Sequence, residues 1–142
     1  MRAAVYWDAS AVLSAVTSDV HSDSALAWYR RDCVHLISTL AYAETCSVLS
    51  RLHRENTITG DELAAALDSI ASDPWRRLHA SPGWDEISAA AGKWNLRGAD
   101  LWHLVTVLTL REHRLPGLLL LTYDAGLASA VKDECLAVSA MG

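Results

Sequence analysis

Residues 3–12 read AAVYWDASAV: five apolar or aromatic positions, a carboxylate at Asp8, two small residues and a second apolar pair. A short unbroken apolar run with a polar stop reads as a strand buried on both faces, the kind that parallel sheets use. Asp8 stands where that strand, Ala3 to Trp7, gives way to a helix expected over Ala11–Val16. Capping is one reason for an Asp there. The other is that open α/β sheets bind ligands beyond the carboxyl ends of their strands, where strand order reverses.

The same unit recurs outward from this stretch. Val34–Ile37 reads as a second strand, followed by a helix from Ser38 or Thr39 to Arg54. Trp75–His79 reads as an edge strand, and Leu118–Leu121, after the Pro116-Gly117 turn, as a strongly buried one. Leu136–Val138 reads as a last short strand. Helices are expected over Ser22–Arg31, from the Thr59-x-x-Glu62 capping box to Asp73-Pro74, from Ser81-Pro82-Gly83 to Trp94, over Ala99–Glu112 and over Ala125–Lys132. Strands alternating with helices imply one α/β domain over residues 1–142. Its centre is a parallel sheet of four to five strands with helices on both faces.

Composition narrows the function. Of 142 residues, 51% are hydrophobic, and twelve basic against seventeen acidic residues give a net charge of −5. This excludes disorder, and it excludes a protein that grips nucleic acid by bulk positive charge. A polyanionic ligand would need a local basic patch or a bound cation. The cysteines Cys33, Cys46 and Cys135 form no CxxC pair and read as free thiols of a reducing compartment. Asp8 interrupts any signal-peptide core, and Leu101–Leu121 carries Arg111, Glu112, His113, Arg114 and Pro116. A cytoplasmic protein without membrane spans is therefore expected.

Four acids stand out. Asp124 follows Leu118–Leu121 after Thr122-Tyr123, as Asp8 follows its strand. Glu44 lies in STLAYAETCSVL (residues 38–49), a helix start otherwise free of charge. Asp100 heads the most apolar helix, in LRGADLWHLVTVL (residues 96–108). Dipole compensation would by itself account for Asp100. Brought together, four carboxylates repel one another, and a divalent cation removes that penalty. Hard oxygen donors without His or Cys spacing suit Mg²⁺ or Mn²⁺ and not zinc, and such ions serve phosphoryl chemistry. Arg97 and Lys93 are candidates for steering phosphates, ahead of Arg51 and Arg54. His103 reads as a packed residue rather than a ligand.

In the order YWDASAVL, STLAYAETCSVL, LRGADLWHLVTVL, LLTYDAGLASAV, the chain resembles the PIN-domain nucleases, specifically the VapC toxins of toxin–antitoxin pairs. The resemblance implies a metal-dependent endoribonuclease whose catalytic and metal-binding residues are Asp8, Glu44, Asp100 and Asp124, with Asp8 and Asp100 the principal ligands. Ser10 and Thr122 would support them by hydroxyl contacts. It further implies an RNA substrate, a basic VapB-like antitoxin and a homodimer. A housekeeping RNA-processing PIN nuclease is the alternative. A haloacid-dehalogenase-like phosphotransferase is a more distant one, since that chemistry wants a second Asp where Ser10 stands. Trp102, beside Asp100, is bulky for its place and is expected to narrow the site.

Overall fold

Ala4–Trp7 (β1) is buried along its whole length and lies at the centre of a five-stranded sheet. It pairs in parallel with Val34–Ser38 (β2) on one side and with Leu119–Thr122 (β4) on the other. Trp75–Leu78 (β3) and Ala137–Ser139 (β5) complete the order β3-β2-β1-β4-β5, again in parallel. The computed structural model describes residues 2–72, 74–132 and 137–139. Asp73, Cys135 and Leu136, which figure in the sequence reading, lie outside the described residues.

Period-two alternation on β1 divides the core. Val5 and Trp7 face one layer with Ile37 and Leu121, covered by Ala9–Val16 (α1), Ser22–Tyr29 (α2), Thr39–Arg54 (α3) and Gly60–Ala71 (α4). Ala4 and Tyr6 face the other with Leu36, Leu118 and Leu120. There they meet Gly98–His113 (α6) and Ala125–Val131 (α7), and Trp84–Lys93 (α5) packs on α6 through Ala90, Leu101 and Val105. Helices thus cover both faces, as the alternating pattern requires. The chain moves from β1 outward through β2 to β3, then crosses back to β4. The reversal falls between β1 and β4, whose carboxyl ends carry Asp8 and Asp124.

Boundaries differ from the sequence reading by a residue or two. α1 starts at Ala9 rather than Ala11, because the Asp8 carboxylate accepts the Ala11 N–H at 2.9 Å and so caps two residues earlier. Gly98 opens α6 instead of interrupting before it. The Thr59/Glu62 capping box is formed in both directions, and Gly117, at φ +86°, supplies the left-handed turn before β4. Among the described residues no helix is long and apolar enough to cross a membrane.

The α1–α4 layer contains a polar knot. The Trp7 indole N–H donates to His35 Nδ1 at 3.0 Å, and His35 Nε2 donates to the Arg31 carbonyl at 3.1 Å. Burial pushes the imidazole pKa down and favours the neutral form. His35→Leu leaves the indole N–H unpartnered in the core, while the Arg31 carbonyl keeps the Cys33 amide at 2.9 Å. We expect it to cost about 2–4 kcal/mol, read by urea denaturation; a loss below about 0.5 kcal/mol would show that the knot contributes nothing.

Candidate active site

Asp8 is 3% exposed and fully engaged. Its Oδ1 accepts from the Ala11 amide and, at 2.7 Å, from the Ser10 hydroxyl; its Oδ2 accepts from the Thr122 hydroxyl. Ser10 Oγ in turn accepts the Tyr123 amide at 2.9 Å, and Thr122 Oγ1 accepts the Asp124 amide at 3.0 Å. Ser10 and Thr122 therefore sew the end of β1 to the end of β4. Burial pushes the Asp8 carboxyl pKa up despite three donors, so desolvation outweighs the hydrogen bonds. Capping and site-building are not alternatives here, since one carboxylate does both.

Asp124 caps α7 through the Leu127 amide, which donates to Oδ2 at 2.8 Å. Its Oδ1 faces Asp100 across the Arg97 guanidinium, which reaches Asp124 at 2.9 Å and Asp100 at 3.2 Å. Asp100 sits in the first turn of α6 and is 9% exposed. Burial first, and the charge of Asp124 second, push its carboxyl pKa up, while Arg97 opposes both. The two acids raise the arginine in return.

Glu44 projects from α3 and is half-buried. Its Oε1 accepts from His103 Nε2 at 2.7 Å. His103 is three residues after Asp100 on α6, so one helix face presents an acid and the imidazole that meets another acid. It is buried, as the sequence suggested, but its polar edge serves Glu44. Trp102 stands half-buried and edge-on to His103.

The structure thus links Asp8, Asp100 and Asp124 at the carboxyl edge of the sheet through Thr122 and Arg97, and joins Glu44 to α6 through His103. Among the described residues no three Asp, Glu, His or Cys side chains already surround one point closely enough to hold a metal ion. The donor set nevertheless fits a hard divalent cation: it is all carboxylate oxygen, with the Asp8 pKa raised by burial and that of Asp100 by burial and the charge of Asp124. Arg97 is, with Lys93, the sequence's candidate for steering phosphates. Its side chain is 79% exposed, yet the guanidinium already bridges two acids. Its i, i+3 spacing from Asp100 was the available signal. Lys93 ends α5, its ammonium 4.5 Å from the Trp94 ring centre.

The model of the PIN domain family matches residues 5–133. The chain belongs to the PIN-domain family. Two Mycobacterium tuberculosis relatives, Ribonuclease VapC45 and Ribonuclease VapC49, are each 31% identical to this PIN domain over 128 residues, covering 84% of it and 83% of the relative. Among solved structures, PAE2754 from Pyrobaculum aerophilum shares the fold with a TM-score of 0.63 at 22% identity, over 99% of this chain and 91% of that one. The sarcin-ricin loop cleaving toxin VapC20 of Mycobacterium tuberculosis gives 0.58 at 18% identity, over 89% and 94%. VapBC2 from Rickettsia felis, solved on a DNA fragment from its promoter, gives 0.56 at 13% identity, over 96% of each chain.

In this PIN domain Thr122 is the hinge pin between two acids. Thr122→Val keeps the shape and removes the hydroxyl, leaving Asp8 Oδ2 and the Asp124 amide without that partner. The expected cost is about 1–3 kcal/mol of stability and roughly 10–100-fold of activity. Thermal melts and RNA cleavage rates check both; a variant with wild-type turnover would remove Thr122 from the site.

Proposed function

We propose that the chain is a Mg²⁺-dependent endoribonuclease, with Mn²⁺ able to substitute, and the toxin of a toxin–antitoxin pair. The observation that carries the reading is the set of carboxylates delivered to the β1/β4 switch point, two of them with pKa values raised by their surroundings. The VapC relatives support RNA as the substrate, and an acidic chain reaches a polyanion best through a cation. Asp8 and Asp100, with Asp124 and Glu44 beside them, would hold that cation. When bound it polarises a phosphodiester oxygen and makes water a stronger nucleophile at neutral pH.

The chain's own residues supply the rest. Asp124, which accepts from the Leu127 amide, and Glu44, which accepts from His103, would orient a water and take its proton. Arg97 presents guanidinium donors at the exposed rim, suited to a phosphate oxygen once RNA arrives. The water oxygen bonds to phosphorus, the P–O3′ bond breaks, and the departing O3′ takes a proton. The products are therefore a 5′-phosphate and a 3′-hydroxyl. End-mapping of cleaved RNA tests this: 2′,3′-cyclic phosphate ends would overturn the water-attack mechanism, and no cleavage with Mg²⁺ or Mn²⁺ would overturn the nuclease reading.

VapBC2, from a toxin–antitoxin complex, supports an antitoxin partner. A cleft of about 380 Å³ between α1, α3 and α4 is lined by Leu13, Val16, Val48, Leu52 and Ile58, with Asp19 and Glu62 among its polar residues. Apolar walls with carboxylates suit a basic amphipathic tail.

A further inference from the structure

We propose that His103 is a positioning residue: through a buried chain running Ser38–Tyr6–His103–Glu44, it fixes the Glu44 carboxylate toward the acid cluster. The inference rests on the nuclease reading and assigns a role that the four acids alone do not imply. Three of those acids are tied to one another through Thr122 and Arg97, whereas Glu44 comes from a separate helix and meets the site through His103.

The chain is geometrically closed. Ser38 Oγ accepts the Ala41 amide at 3.1 Å as the cap of α3. The Tyr6 and Ser38 hydroxyls lie 3.0 Å apart, Tyr6 Oη is 2.5 Å from His103 Nδ1, and His103 Nε2 is 2.7 Å from Glu44 Oε1. Tyr6 is 0% exposed, Ser38 1% and His103 1%. Water therefore cannot substitute for a lost partner at Tyr6, Ser38 or His103, and only the Glu44 end of the chain, 32% exposed, meets solvent.

Proton counting fixes the direction at the end that matters. An ionised carboxylate only accepts, so Nε2 must donate to Glu44. If the imidazole is neutral, Nδ1 accepts from Tyr6, and the Tyr6–Ser38 bond, in which Tyr6 donates in the structure, has to reverse. If it is protonated, Nδ1 donates to Tyr6 and Tyr6 donates to Ser38. The two hydroxyls rotate to suit either state, and Nε2–H points at Glu44 in both. Because Ser38 is also the cap of α3, the chain joins the start of the helix that carries Glu44 to the helix that carries Asp100.

Isosteres separate this role from packing. A Gln amide nitrogen replaces Nε2 and keeps the donor to Glu44. An Asn amide replaces Nδ1, keeps the Tyr6 contact and falls short of Glu44. We expect His103→Asn to lower kcat roughly 10–100-fold with KM for RNA unchanged, and His103→Gln to recover most of the loss. Mn²⁺ titration without RNA should show weaker binding for Asn than for Gln. In a Glu44→Gln background, His103→Asn should add little further loss. Equal losses in the Gln and Asn variants, or wild-type kcat and Mn²⁺ affinity in the Asn variant, overturn the proposal. If wild-type protein cleaves no RNA, the nuclease reading falls, and the Mn²⁺ comparison still decides on His103; absence of Mn²⁺ binding by the wild type overturns both.

Discussion

Asp8→Asn and Asp100→Asn should each reduce RNA cleavage by on the order of 10³-fold or more, while neither lowers the melting temperature of the metal-free protein. Loss of function with no loss of stability follows from the raised pKa values. A carboxyl raised in the fold is one whose charge the fold disfavours. At Asp100 the amide relieves burial and the repulsion of Asp124, and gives up the pair with Arg97, whose side chain is 79% exposed and screened by solvent. At Asp8 the Asn carbonyl still accepts from Ala11 and Ser10. Its NH₂ donates to Thr122, whose hydroxyl turns toward Ser10, 3.4 Å away. The pH dependence has a definite sign. The native state binds the Asp8 and Asp100 protons more tightly than the unfolded chain, whose reference value is 3.8. Wild-type stability therefore falls as pH rises from that value through the folded pKa values, and the variants escape the fall. Melting temperatures in EDTA across acidic to neutral pH check it: the gap between variant and wild type should open in favour of the variant. Melting several degrees lower at neutral pH would overturn the electrostatic account, and cleavage above a tenth of wild type would overturn the catalytic one.

Much of this was legible in the chain because the strong signals are local. AVYW and LLLT are unbroken apolar runs, too short for helices, and each ends in a hydroxyl or carboxylate that stops the strand. Asp8 and Asp124 could be paired from that symmetry, and Glu44 and Asp100 from isolation in apolar helices. The contacts that turn four acids into a site were not legible, since they join distant segments. Arg97 and Asp124 are 27 residues apart, and Glu44 and His103 are 59. Helical periodicity says which residues share a face, not what that face meets. The tryptophans show the same limit: Trp75 is 5% exposed, packed against Trp7 and Tyr29, while Trp84, nine residues on, is 91% exposed. Sequence gives both the same apolar weight, and only the register of β3 and the start of α5 separate them.

EDTA should take cleavage below detection, Mg²⁺ should restore it, and saturating Mg²⁺ should raise the melting temperature of the wild type but not of Asp100→Asn. The expectation follows from the charge balance. Arg97 supplies one positive charge to Asp100 and Asp124 together, the two acids its guanidinium bonds among the described residues. A phosphodiester approaching that edge adds another negative charge, and two unit charges about 4 Å apart repel by about 4 kcal/mol at an effective dielectric near 20. Arg97 cannot both hold its two acids and meet the phosphate at full strength. A divalent cation held by the carboxylates would resolve that conflict and leave the guanidinium for the substrate. Binding at a hundred times Kd adds about 2.7 kcal/mol to stability, or roughly 5–15 °C for a domain of this size. The two readouts test different links. Full cleavage in EDTA would remove metal from the chemistry, whereas an equal Mg²⁺ shift in Asp100→Asn would move the ion away from α6.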